Sequence, residues 1–195
     1  MKLRMIPVTV FLISMGLGLW AGVPRGGGSL DEADLAIRKN PRNADSYNNR
    51  GILHLRKGEC DLAIQDFNKA IEFNPNFMDA YYNRGKAYCD RCDYEQAIAD
   101  FTSVIRLKPD DADAYFRRGD VYGAMGDYER SIADFTRVVE LDPSYGIAYH
   151  QRAVAWFLAK EYDKAWKDVQ CCRKLKIKPK PQFLEKLQKA SGRTE

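Results

Sequence analysis

Residues 78–111 read MDAYYNRGKAYCDRCDYEQAIADFTSVIRLKPDD, and residues 112–145 read ADAYFRRGDVYGAMGDYERSIADFTRVVELDPSY. Laid over one another, they match Tyr81 to Tyr115, Arg84 to Arg118, Gly85 to Gly119, Phe101 to Phe135 and Pro109 to Pro143. The match extends outward in both directions, because Pro41, Pro75, Pro109 and Pro143 fall 34 residues apart. Tyr47, Tyr81, Tyr115 and Tyr149 form one column, Arg50, Arg84, Arg118 and Arg152 another, and Gly51, Gly85, Gly119 and Ala153 a third. Several columns sharing one period mark a repeat array built from a single supersecondary unit.

Twelve residues past the glycine column lie Ala63, Ala97, Ser131 and Ala165, and four further on lie Phe67, Phe101, Phe135 and Val169. Each period is therefore two helices. Small residues at the glycine and alanine columns let the axes approach, and the aromatic column fills the space beside them. Lys57-Gly58, Cys92-Asp93, Gly126-Asp127 and Lys160-Glu161 mark the turn inside each hairpin, and the prolines mark the turn between hairpins.

The period and its aromatic, Gly, Tyr, Ala, Phe and Pro offsets resemble the tetratricopeptide-repeat (TPR) consensus over residues 44–179. The resemblance implies an all-α fold: a right-handed α-solenoid of stacked helix-turn-helix hairpins with an N-terminal half-repeat helix and a C-terminal capping helix. The repeats span 44–77, 78–111, 112–145 and 146–179, the last being degenerate at Val169, Cys172 and Ile177. A repeat array needs its apolar ends covered. At the front, Ser29-Leu30-Asp31-Glu32 is a capping-box pattern opening a helix over 29–39, with Leu30, Ala33 and Ile37 in the phase of an absent second helix. At the back, residues 180–192 form an amphipathic helix with Phe183, Leu187 and Ala190 on its inner face.

In TPR proteins the first helices line the ligand surface, so the resemblance points to side chains one, two and five residues past the tyrosine column. These are Asn48, Asn49 and Ile52; Tyr82, Asn83 and Lys86; Phe116, Arg117 and Asp120; and His150, Gln151 and Val154. A carboxamide supplies donor and acceptor together, as an extended peptide backbone requires, and the aromatics add apolar contact. The expected function is a non-catalytic scaffold that binds a protein or peptide segment. The carboxylate clamp that some TPR proteins use on heat-shock chaperones maps to Asn48, Ile52, Asn83, Asp113 and Arg117; only Asn83 and Arg117 match, and Asp113 would repel a carboxylate. The arginine column reads as ion pairs or hydrogen bonds between neighbouring repeats rather than as an anion ladder.

Composition sets the remaining bounds. With 45% apolar and 30% charged residues the chain has material for a core and a solvated surface. Residues 40–159 carry 15 basic and 19 acidic side chains, against 11 and 5 in residues 160–195. The alternative function is therefore docking of the basic region Lys160–Arg193 on an anionic surface, lipid or nucleic acid, although no nucleic-acid reader motif is present. Lys2 and Arg4 precede the uncharged stretch Met5–Val23, which reads as a signal peptide or a retained membrane anchor (residues 1–23), since 19 helical residues are about 28 Å long. Either reading places the protein as exported, periplasmic or membrane-anchored. Residues 24–28 read as a flexible linker, and their glycines are not a phosphate loop, for no GK[ST] follows.

Five cysteines stand at 60, 89, 92, 171 and 172. Cys60 opens a second helix while Cys89 and Cys92 close the next first helix, so a disulfide from Cys60 to Cys89 or Cys92 is a candidate. Cys89-Asp-Arg-Cys92 lacks the second CxxC of a zinc site and the βαβ context of a redox site. His54 and His150, the two histidines, join no nucleophile, metal-ligand or acid–base motif. Neither enzyme activity, cofactor nor metal is expected.

Overall fold

The computed structural model describes residues 28–193, which contain ten helices. They are α1 (Leu30–Lys39), α2 (Ala44–Arg56), α3 (Cys60–Phe73), α4 (Met78–Asp90), α5 (Tyr94–Leu107), α6 (Ala112–Ala124), α7 (Tyr128–Leu141), α8 (Gly146–Leu158), α9 (Tyr162–Lys174) and α10 (Pro181–Ser191). No strand occurs among the described residues. The leader and most of the linker, residues 1–27, lie outside them.

The chain divides into two compact units, Met1–Pro109 and Asp110–Glu195. In the first, α1 packs on α2, the hairpins α2–α3 and α4–α5 close on themselves, and α3 packs on α4. In the second, α6–α7 and α8–α9 are the hairpins, α7 packs on α8, and α10 covers α9.

The glycine column exists because of the phenylalanine column. A Cβ on Gly51 would lie 2.7 Å from the Phe67 ring, one on Gly85 3.0 Å from Phe101, and one on Gly119 3.1 Å from Phe135. All three rings are fully buried. In the fourth repeat both partners change together: Ala153 brings a methyl group and Val169 gives up the ring, and both are again fully buried. The degenerate repeat thus keeps its packing by a compensating exchange of volume.

The turn inside each hairpin needs a left-handed residue. Gly58 (φ 77°) and Gly126 (φ 81°) supply it without strain, whereas Cys92 (φ 62°) and Lys160 (φ 64°) hold the same conformation with a side chain.

The arginine column is bound chiefly within its own hairpin, which corrects the expectation of partners in neighbouring repeats. Arg50 grips Asp66, Arg84 Asp100, Arg118 Asp134 and Arg152 Asp168, each with Nε on one carboxylate oxygen at 2.8 Å and Nη2 on the other at 2.6–2.8 Å. Arg50, Arg84 and Arg152 also reach back with Nη1 to Asp34, Asn68 and Thr136 on the preceding second helix. Asp34 lies on α1, so α1 takes the place of a second helix of an absent earlier repeat. The Ser29 hydroxyl accepts from the Glu32 N–H and the Glu32 carboxylate from the Ser29 N–H, closing its capping box.

At the other end, α10 buries Leu187 fully and half-buries Phe183 and Leu184, while Trp166 Nε1 donates to Ser191 Oγ at 3.0 Å. Ala190, expected on the inner face, is exposed, because Leu184 and Ser191 take that side of the helix.

Candidate functional site

On the N-terminal unit, α2 and α4 carry six of the expected ligand residues. Asn49 is exposed, and Ile52, Tyr82, Asn83 and Lys86 are half-buried. Asn48 is only 5% exposed, because Asn83 Nδ2 donates to its Oδ1 at 3.2 Å across the two helices. That bond uses one of the Asn83 donors and restrains its rotamer, while the amide still has a second N–H and a carbonyl oxygen to offer. Tyr82 meets Phe101 edge-on at 5.7 Å, and the Lys86 ammonium lies 6.0 Å from the Tyr82 ring centre.

On the C-terminal unit, α6 and α8 carry the other six, and three of these are buried: Phe116, Gln151 and Val154. Phe116 sits between Phe135 at 5.5 Å and Tyr145, on which it stacks at 5.2 Å. Gln151 Nε2 donates to Asp120 Oδ1 at 2.9 Å, matching the reach of Asn83 back to Asn48. Burial pushes the Asp120 carboxyl up to about 6, against the Gln151 bond and the Arg117 charge, which pull it down. Arg117 is exposed.

His150 does not face an open surface. It packs edge-on against Phe183 of α10 at 5.5 Å, its buried Nδ1 has no hydrogen-bond partner among the described residues, and burial, with a smaller push from Lys180, holds the imidazole below its ordinary value. The expected surface is corrected in this respect: Asn48, Phe116, Gln151 and Val154 are packing residues, and His150 belongs to the contact with the capping helix. Ile52 packs against the core around Leu55 and Phe67, and the Asp120 carboxyl is desolvated against Gln151; Asn49, Tyr82, Asn83 and Lys86 on the N-terminal unit and Arg117 on the C-terminal unit remain as residues a ligand can reach.

Among the described residues no disulfide joins Cys60 to Cys89 or Cys92. Cys60 packs beside Tyr88 against the core around Leu55 and Phe67, and burial raises its thiol. Cys172 is fully buried, with its thiol pushed up to about 12. No group of three or more His, Cys, Asp or Glu side chains is placed to hold a metal ion among the described residues.

The residues that sequence reasoning missed are the aspartates facing the arginines. Asp66, Asp100, Asp134 and Asp168 keep the 34-residue period without exception, each 16 residues after its arginine, so the column itself was the signal.

Comparison with known proteins agrees with this architecture. A family profile described as TPR repeat matches residues 54–91 and 85–126, and two described as Tetratricopeptide repeat match residues 112–145 and 33–65. The chain belongs to the tetratricopeptide-repeat family, whose members are protein-interaction scaffolds and generally non-catalytic. Among solved structures it is similar to a crystal structure of MamA, with 22% identity, TM-score 0.70, and coverage of 84% of this chain and 90% of that one. It is also similar to MamA 41-end from Desulfovibrio magneticus RS-1, with 21% identity, TM-score 0.72, and coverage of 75% and 83%. The first TPR of Spaghetti (RPAP3), bound to the HSP90 peptide SRMEEVD, shares 25% identity at TM-score 0.56 over 58% of this chain and 90% of that one. No curated protein matches.

Proposed function

We propose that the chain binds an extended protein segment on the first-helix face of its N-terminal unit, with Asn49 and Asn83 making polar contacts to it. The observation that carries this reading is the Asn83–Asn48 bond of 3.2 Å, which holds a carboxamide in place with donor and acceptor still available. Tyr82 supplies a flat apolar contact on the same helix, and the Lys86 charge favours a segment carrying acidic side chains. The peptide in the Spaghetti complex supports the class of ligand. It does not extend to recognition of a terminal carboxylate, since here Asn48 is buried, Ile52 cannot donate, and Asp113 accepts from Tyr145 Oη at 2.7 Å.

The test is crosslinking of wild-type protein and the Asn49→Ala/Asn83→Ala variant in native extract, followed by affinity measurement on the segment recovered. Binding to the variant should fall at least about 5-fold, as for loss of two polar contacts of about 0.5–1.5 kcal/mol each. Unchanged affinity in a folded variant would move the binding surface elsewhere.

We further propose that the protein is exported, on the strength of Lys2, Arg4 and the uncharged run Met5–Val23. Among the described residues no helix is long and apolar enough to cross a membrane. A reporter active only outside the cytoplasm, fused after Glu195, should be active; a silent fusion alongside an active cytoplasmic reporter refutes export.

A further inference from the structure

Where the first three repeats end in a proline turn, the fourth runs on as Lys174-Leu-Lys-Ile-Lys-Pro-Lys180. Ile177 occupies the proline column. The structure sorts this stretch by alternate residues: Lys174, Lys176, Lys178 and Lys180 are exposed, Leu175 and Ile177 are half-buried, and Pro179 is buried.

The inward residues are anchored to α8 and α9. Ile177 rests on the bare backbone of Gly146, where a Cβ would stand 2.5 Å from its Cγ1 and 3.6 Å from the Leu175 Cβ. The Leu175 N–H donates to Cys171 O at 3.0 Å, Lys176 N–H to Arg173 O at 3.0 Å and Ile177 N–H to Cys172 O at 2.9 Å. Lys178 and Lys180 each precede a proline, which disfavours helical backbone, and Lys180 is extended at φ −60°, ψ 131°. The lysines are therefore presented by a pinned strap rather than by a loose tail.

Among the described residues Lys174, Lys176 and Lys178 make no ion pair. From Arg173 to Arg193 there are eight basic side chains and one acidic one, Glu185. Lys186 and Lys189 are exposed on α10 in addition.

We infer that the Lys174–Lys180 strap docks the protein on an anionic lipid bilayer. A cluster of lysines next to one another is the chemistry that follows the negative potential of such a surface. A nucleic acid fits less well. The strap carries no arginine for bidentate phosphate or base-edge contacts, and no aromatic of 173–193 is exposed for a base to stack on, since Phe183 is engaged with His150 and Phe157. The strap shares no residue with the proposed ligand surface, so the two readings stand or fall apart.

The experiment is flotation of the full chain with phosphatidylcholine vesicles and with vesicles that also carry phosphatidylglycerol, at about 0.1 M and about 1 M salt, where the screening length falls from about 10 to about 3 Å. Lys2 and Arg4 also favour the anionic vesicle, so the readout is the part of the gain from phosphatidylglycerol that the strap variant loses and the control variant keeps. That gain should be large at the lower salt and vanish at the higher. It should fall by about 100-fold in Lys174→Gln/Lys176→Gln/Lys178→Gln, survive in the matching Lys→Arg variant, and persist in the control Lys39→Gln/Lys57→Gln/Lys69→Gln. The proposal is overturned if the strap variant floats like wild type, if the control loses as much, or if duplex DNA binds more tightly than the vesicles at the same salt.

Discussion

Ser131 buries a hydroxyl in a column otherwise filled by Ala63, Ala97 and Ala165, and its Oγ has no hydrogen-bond partner among the described residues. An unsatisfied buried hydroxyl is a net cost, so Ser131→Ala should raise stability by about 1 kcal/mol, seen as a higher denaturant midpoint at unchanged slope. Asp120 offers a second residue-level test. Its folded-state carboxyl titrates at about 6, above the ordinary 3.8, so the folded chain holds that proton more tightly than the unfolded one. The sign follows: ionised Asp120 costs stability above pH 6, and that loss is recovered as pH falls from about 6 to about 4. Asp120→Asn removes the dependence. It should be more stable than wild type at pH 7 by about 1–3 kcal/mol, with the advantage gone near pH 4 in paired denaturation curves.

At the scale of the element, the hairpin is a volume contract between its two helices. Gly85 and Phe101 satisfy it in one way, Ala153 and Val169 in another. Gly85→Ala should therefore cost about 1–3 kcal/mol by overpacking, and Phe101→Val about as much by leaving a cavity. The double variant, which reproduces the fourth repeat, should lose at least about 1 kcal/mol less than the sum, and a double-mutant cycle measures that coupling directly. Additive losses would show that repeat 4 depends on something other than this exchange.

At the scale of the molecule, the same arginine–aspartate clamp recurs in all four hairpins and ties the two helices of each together. Arg84 and Asp100 show the energetics. Burial pushes the Asp100 carboxyl up while the Arg84 guanidinium opposes it, so removing the guanidinium alone strands a buried charge. Arg84→Met should destabilise by about 3–5 kcal/mol, with hydrogen exchange accelerating in α4 and α5, whereas Arg84→Met/Asp100→Leu should recover most of the loss. Full recovery would mark the clamp as a device for register more than for stability.

The sequence by itself determined the repeat, its 34-residue period, the two-helix unit, the tetratricopeptide-repeat class and the need for helices at both ends. These follow from side-chain size and turn chemistry, which act over a few residues and then recur, so one chain displays them several times. It also held the aspartate column, which went unread because an acidic residue on a helix looks like a solvated one until its partner 16 residues away is in place. Only the tertiary structure decided which polar residues are surface and which are core. Asn48 and Gln151 are buried because Asn83 and Asp120 reach them from helices 35 and 31 residues away in the chain. The same holds for the strap after the fourth repeat. Its alternation of lysine and apolar residues is visible in the sequence, but the seat that turns Ile177 inward is the missing side chain of Gly146, 31 residues earlier, and only folding brings the two together.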